Sequence, residues 1–185
     1  MNGLKLNIRF KGPFSLIAAD PPWPFGDKLP GASRGAEKNY KVMTTLDIEH
    51  YLASEHIAVA DDALLLLWRV SAMQQEALDV ARAWGFVVKS ELVWEKLTLK
   101  GKAWFGMGRY VRASHETCLI GARGKAAALV EDHSIRSVFS APVGEHSEKP
   151  DAFYEIAERL FPGPRLELFA RKKRKNWTQR GDELK

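Results

Sequence analysis

A single cysteine, Cys118, stands among the 185 residues. No disulfide can close within the chain, so a reducing compartment is the expectation. Long apolar runs are missing too. The longest aliphatic stretch, Ala63 to Leu67 with Trp68 behind it, is far short of the roughly 20 residues that a membrane-spanning helix needs. The first residues lack the apolar core and small-residue cleavage site of a secretory leader. The expectation is a soluble cytoplasmic protein with no membrane partner. Five histidines are scattered along the chain without HExxH or paired CxxC spacing, so no metal is expected. A P-loop and a Gly-x-Ser-x-Gly elbow are absent. Gly106-x-Gly108 is no dinucleotide fingerprint, because Val111 holds the third glycine position. Repeats, low-complexity segments and linkers are also lacking.

The chain does have ample apolar and aromatic mass. It is 45% hydrophobic, with six Trp and nine Phe, enough for one cored domain over residues 1–185 and for some aromatics outside the core. The formal charge of +5 favours an acidic partner such as nucleic acid. The most informative stretch is Asp20-Pro21-Pro22-Trp23-Pro24, directly after the apolar run Phe14–Ala19. Proline has no N–H and a fixed φ, so this loop is stiff and poor in donors. It offers acceptors, the Asp20 carboxylate and the carbonyls of Pro21 and Pro22, beside the aromatic face of Trp23. That combination suits a flat ring carrying an exocyclic NH2, such as adenine. A plain turn, with Trp23 only capping the core, is the simpler alternative.

Taken in order, residues 4–10 alternate like a half-buried strand. Residues 25–43 lack periodicity and read as a long substrate loop at a strand's C-terminal end; Arg34 lies in it, and Tyr40 could stack on a ligand. Thr44-x-x-Asp47 resembles a helix N-cap. Asp61-Asp62 is expected to turn into a strand over Ala63–Arg69, buried on both faces. Ser71 is expected to cap a helix over Ala72–Trp84, which Gly85 ends. Strands follow at Phe86–Lys96, His115–Gly124, 137–141 and Arg165–Ala170, with a helix at Asp151–Leu160. This alternation predicts an α/β fold with a mostly parallel sheet flanked by helices. The last strand is expected to close the core. The segment 97–114 interleaves Trp104, Phe105 and Tyr110 with Lys100, Lys102, Arg109 and Arg112. That pattern suits a nucleic-acid channel, with phosphates on the cations and bases on the rings. The basic run Arg171–Lys175 is either a solvated face or a set of cations meeting a bound carboxylate or phosphate.

These residues resemble the MT-A70 family of S-adenosylmethionine-dependent adenine-N6 methyltransferases over nearly the whole chain. The matching landmarks are Ala19–Trp23, Tyr40-x-x-Met43-Thr44, Leu65–Trp68, Val93–Lys96, His115-Glu116, His146–Asp151, Pro162–Arg171 and Asn176-Trp177 to Glu183. The resemblance implies a Rossmann-like methyltransferase fold in which the catalytic motif precedes the cofactor motif, with S-adenosylmethionine as cofactor. It implies that Asp20, Pro21, Pro22 and Trp23 hold the target adenine. Asp20, His115, Glu167, Leu168, Phe169, Arg171 and Lys173 would lie toward the cofactor, joined by Asn7, Ile8, Asp182 and Glu183 near its adenosine. Trp23, Tyr40, Arg34, Lys96, Arg109 and Arg112 are candidate nucleic-acid contacts. Methylation of adenine N6 is the expected activity, with DNA favoured over RNA as substrate. RNA methylation, a non-catalytic nucleic-acid-binding paralogue and a small-molecule methyltransferase are the alternatives. A homodimer or a partner subunit is anticipated to supplement target recognition.

Overall fold

The computed structural model describes residues 12–25, 42–108, 110–144, 148–181 and 184. The strand expected at 4–10, most of the loop at 25–43, and Asn7, Ile8, Arg34, Tyr40, Arg109, Asp182 and Glu183 lie outside the described residues.

The described chain forms β1 (Phe14–Ala19), α1 (Thr45–Ser54), β2 (Val59–Arg69), α2 (Gln74–Ala83), β3 (Val87–Leu97) and β4 (His115–Arg123). A 3₁₀ turn (Ala126–Leu129), β5 (Val138–Pro142), α3 (Asp151–Leu160), β6 (Arg165–Leu168) and β7 (Thr178–Arg180) complete it. The strands make one seven-stranded sheet in the order β5-β3-β4-β2-β1-β6-β7. β1 runs parallel to β2 and β6, β6 to β7, and β3 to β5, whereas β4 is antiparallel to both β2 and β3. The sheet is therefore parallel except for one interior strand, a Rossmann-like methyltransferase arrangement. The reversal follows from the β3–β4 connection. A parallel return needs a crossover, usually a helix. Among the described residues of 98–114 there is no helix, and the segment folds back locally, with Trp104 N donating to Lys96 O at 3.0 Å.

Two cores sandwich the sheet. Ile17, Leu65, Leu67 and Leu166 pack under α1 and α2, while Leu16, Leu64, Leu66 and Trp68 pack under α3 and the 3₁₀ turn. The uninterrupted leucine run thus serves both faces by simple alternation. Trp84, at the end of α2, donates its Nε1 to Ile48 O of α1 at 2.9 Å, locking the two helices together. Thr44 caps α1 as expected, its Oγ1 accepting from Asp47 N at 3.1 Å. Gly85, at φ +83°, ends the α2 segment.

The structure corrects four sequence expectations. Asp61 and Asp62 lie inside β2 rather than in a turn before it, and Asp62 Oδ1 accepts from Lys125 N at 2.6 Å. Helix α2 starts at Gln74, with Met73 at the cap position and no side-chain cap bond, so Ser71 is not the cap. β6 stops at Leu168, because Phe169 takes φ +60° and turns the chain out of the sheet. The core does not close there: the chain returns as β7 beside β6, and Trp177 before it is buried. Three residues reading Thr-Gln-Arg carry no apolar alternation, which is why β7 is invisible to periodicity.

Candidate active site

Strand order and direction bring the chemistry to one edge. β1 lies between β2 and β6, and the helices leading into those two strands, α1 and α3, sit on opposite faces. Such a switch point opens a crevice at the strands' C-terminal ends. Asp20 emerges there directly after Ala19, which pairs with Leu67 and Leu168. The reversed β4 delivers its first residues to the same edge, with His115 opposite Glu95 and Glu116 opposite Trp94. Lys96 at the end of β3 and Arg171 beyond β6 complete the gathering.

The clamp after Asp20 is internally braced. Trp23 N donates to Pro21 O at 2.8 Å, Phe25 N to Trp23 O at 2.7 Å, and Met43 N to Pro22 O at 3.0 Å. A carbonyl has two lone pairs, so the Pro21 and Pro22 oxygens each retain capacity for a further donor. Of the two fates the sequence allows Trp23, a face for a ligand or a cap on the core, the structure shows the second. Trp23 is only 4% exposed, belongs to the core under α1 and α2, and donates its Nε1 to Trp68 O at 3.0 Å. It is a wall fixed in place rather than a free stacking plate. Trp23 and half-buried Phe25 border one cavity together with Asp20.

Two cavities meet at Asp20. The smaller, about 300 Å³, is lined by Asp20, Pro21, Pro22, Trp23, Phe25, Trp68, Ser71, Lys96, His115, Glu116, Lys149 and Arg171 among others. The larger, about 490 Å³, is lined by Asp20, Pro22, Asp47, Tyr51, Glu55, Phe169, Arg171, Arg180 and Gly181 among others. Asp20, Pro22, Val42 and Arg171 border both. Of the residues expected toward a cofactor, Phe169 and Arg171 line the larger cavity, while His115 stands in the smaller one beside Lys96. Leu168 and Glu167 line neither. Glu167 lies buried, accepting from Tyr154 Oη at 2.5 Å and from Gln179 Nε2 at 2.6 Å. Burial pushes its carboxyl above the usual range, against the pull of those two bonds. Lys173 is exposed and borders neither cavity, nor does Arg112, whose guanidinium sits 5.1 Å from the Phe105 ring centroid. Phe105 and Tyr110 are exposed at 76% and 93%, so the loop aromatics do not tuck into the core.

Sequence reasoning passed over Lys149, gave Glu116 no role, and took Lys96 only as a nucleic-acid contact. Lys149 Nζ lies 2.7 Å from Asp20 Oδ2 and 3.2 Å from Glu116 Oε2, and Lys96 Nζ lies 2.5 Å from Glu116 Oε1. Burial alone works against the charged form of both Glu116 and Lys149. The lysines on either side nevertheless hold the Glu116 carboxyl below its usual range, and the two carboxylates hold Lys149 above its own. The available signal was the segment His146–Asp151, noted as a landmark but given no role. Nothing in a sequence marks one lysine of a basic chain as buried. Among the described residues, no group of three or more His, Cys, Asp or Glu side chains could hold a metal ion.

The profile of the MT-A70 family matches residues 14–183. An "N(6)-adenosine-methyltransferase MT-A70-like protein" of Drosophila melanogaster is 29% identical over 97% of this chain and 28% of its own length. The human "N(6)-adenosine-methyltransferase catalytic subunit METTL3" is 27% identical over 97% of this chain and 30% of its own. A Mycoplasma "Type II methyltransferase M.MunI" is 26% identical over 92% of this chain and 78% of its own length. The chain thus spans less than a third of the animal relatives and most of the mycoplasmal one.

Proposed function

The chain belongs to the MT-A70 family, and on that premise we propose that it transfers a methyl group to the N6 amine of adenine in nucleic acid, with DNA as the polymer. The observation that carries the proposal is the position of Asp20, a carboxylate at the junction of two cavities, one bounded by the proline clamp.

S-adenosylmethionine is the methyl donor of this family. The larger cavity fits it in kind. Its carboxylate Asp47 suits a sulfonium or an ammonium, Tyr51 and Phe169 suit a purine, and Arg171 suits a carboxylate, while Glu55 and Arg180 pair with each other across it. Its size falls within the range of small-ligand sites. When bound, the donor supplies an electrophilic methyl on a positively charged sulfur. The protein's task is to make a poor nucleophile better, because the adenine amine's lone pair is delocalised into its ring. The Asp20 carboxylate accepts one N–H and the Pro21 carbonyl the other. These bonds pull the nitrogen toward sp³ geometry and localise its lone pair. Trp23, Phe25 and Pro22 hold the ring in line. The proton shed by the methylated amine leaves past Asp20, whose side chain is 28% exposed. In a duplex the base must first leave the stack, so single strands and distorted sites are the easier substrates. The exposed rings and cations of the 98–113 loop form the surface along which the strand lies. A second copy or a partner subunit extends that surface.

DNA is supported by the mycoplasmal type II enzyme, the relative cited above that this chain spans most fully. RNA is the second reading, because the other relatives are named for adenosine, a ribonucleoside. The test offers labelled methyl donor with single- and double-stranded DNA and RNA, followed by digestion and detection of N6-methyladenine. Label in DNA supports the proposal, and label confined to RNA moves it to the second reading. No label on any polymer, with donor binding intact, leaves a binding-only paralogue. Asp20→Ala should abolish turnover while largely sparing donor affinity; near-normal turnover in that variant would sink the mechanism.

A further inference from the structure

Lys149 is a buried ammonium that the chemistry above does not call upon. It stands just before Pro150, the cap residue of α3, and its side chain is 8% exposed. A charge so enclosed is retained only when paired. Two carboxylates pair it, Asp20 and Glu116, and its Nζ lies 5.1 Å from the Trp68 ring centroid. Trp68 in turn takes the Trp23 indole N–H on its carbonyl. One ammonium therefore ties the clamp carboxylate to β4 and to the wall that carries Trp23. Its bond reaches Asp20 Oδ2. Among the described residues, no donor reaches Oδ1.

We infer that Lys149 is the positioning residue for Asp20, holding Oδ2 so that Oδ1 is the oxygen presented to the target amine, with Glu116 and Lys96 fixing the lysine in its turn. An aspartate just beyond a strand end has two free torsions, and catalysis by positioning fails when the acceptor wanders. Lys149 removes that freedom without touching the amine. Glu116 keeps the buried ammonium paired on its second side, and Lys96 keeps Glu116 ionised and turned toward it. The inference rests on the adenine methylation proposed above.

The experiment compares the parent with Lys149→Met, Lys149→Arg, Glu116→Gln, Asp20→Asn and the Lys149→Met/Asp20→Asn double variant. Thermal melts exclude unfolded protein. Steady-state methylation of an adenine-containing oligonucleotide is measured beside calorimetric donor affinity and a crystal structure of parent and Lys149→Met. The expected result is a kcat loss of about 10²-fold in Lys149→Met with little change in nucleic-acid KM. Partial recovery should follow in Lys149→Arg, and a smaller loss in Glu116→Gln. The double variant should be no slower than Asp20→Asn, because the two residues act as one unit. Asp20 should adopt a different or disordered rotamer in Lys149→Met. Additive losses in the double variant, a KM rise at unchanged kcat, or an unmoved Asp20 carboxylate overturn the inference. If the parent methylates no polymer, the proposed reaction fails. The Asp20 rotamer in the two structures then decides the positioning role independently.

Discussion

Replacing Tyr154 by Phe removes one oxygen from the buried cluster that joins α3 to β6 and β7. The ring keeps its neighbours: Phe153 at 5.0 Å, Trp177 at 5.6 Å and the Arg174 guanidinium at 3.6 Å. Packing is therefore conserved, and the loss is the 2.5 Å bond from Tyr154 Oη to Glu167 Oε1. A hydrogen bond to a charged acceptor contributes about 1.5–3 kcal/mol, so roughly 2 kcal/mol is expected at neutral pH. At about 2–4 °C per kcal/mol for a chain of this length, that is a fall in Tm of about 4–8 °C. The pH dependence sharpens the test. Burial raises the Glu167 carboxyl above the usual 4.5, so the folded protein binds this proton more tightly than the unfolded chain. The residue's contribution to stability is then fully present below the unfolded pKa and is lost as pH rises through the folded one. Without Tyr154 the carboxylate has lost a bond that opposed that rise, and the loss toward neutrality grows. The gap between parent and variant should thus be larger at pH 7.5 than at pH 5, because acidification favours the protonated acid, which gains only a neutral bond of about 1 kcal/mol from tyrosine. Urea melts followed by tryptophan fluorescence at both pH values measure this, with an unchanged m-value showing that only stability moved. An equal midpoint in parent and variant, or a gap that widens on acidification, would refute the reasoning.

Gly181→Ala would place a Cβ 2.1 Å from Ala170 O and 2.6 Å from Ala170 N, both backbone atoms that cannot step aside. A stability loss of about 1–3 kcal/mol is expected, together with weaker binding of the methyl donor in calorimetry, because both residues line the larger cavity. Unaltered donor affinity would place the donor elsewhere. Nucleic-acid binding should weaken steeply with salt. Replacing Lys100, Lys102 or Arg112 by Ala should lower the slope of log K against log salt by about one for each cation that contacts a phosphate; an unchanged slope in all three removes the 98–113 loop from the binding surface.

Much of this fold was legible because local pattern and tertiary role coincide. The leucine run of β2 has no polar face, so it had to be buried on both sides. α3 begins and ends where its proline boundaries and apolar spacing place it, at Asp151 and Leu160. The proline clamp announced its acceptors because missing N–H groups are written in the residue type. Asp20 follows at once from an apolar strand that stops at a carboxylate.

What only the tertiary structure decided concerns residues whose type permits several fates. The direction of β4 depends on whether residues 98–114 cross over or fold back, and that reversal carries His115 and Glu116 to the edge where Asp20 emerges. Trp23 could have stacked on a ligand or joined the core, and its indole bond to the Trp68 carbonyl put it in the wall. Glu167 looked like a cavity residue until Tyr154 and Gln179 took both of its oxygens, and Gln179 comes from a strand too short to leave a pattern. Lys149 shows the difference most clearly. Sequence determines that a lysine is there and charged. Burial and partners, assembled from β1, β3 and β4, determine that this charge holds a carboxylate instead of facing water, because electrostatic roles depend on distance and solvent exclusion rather than on neighbours along the chain.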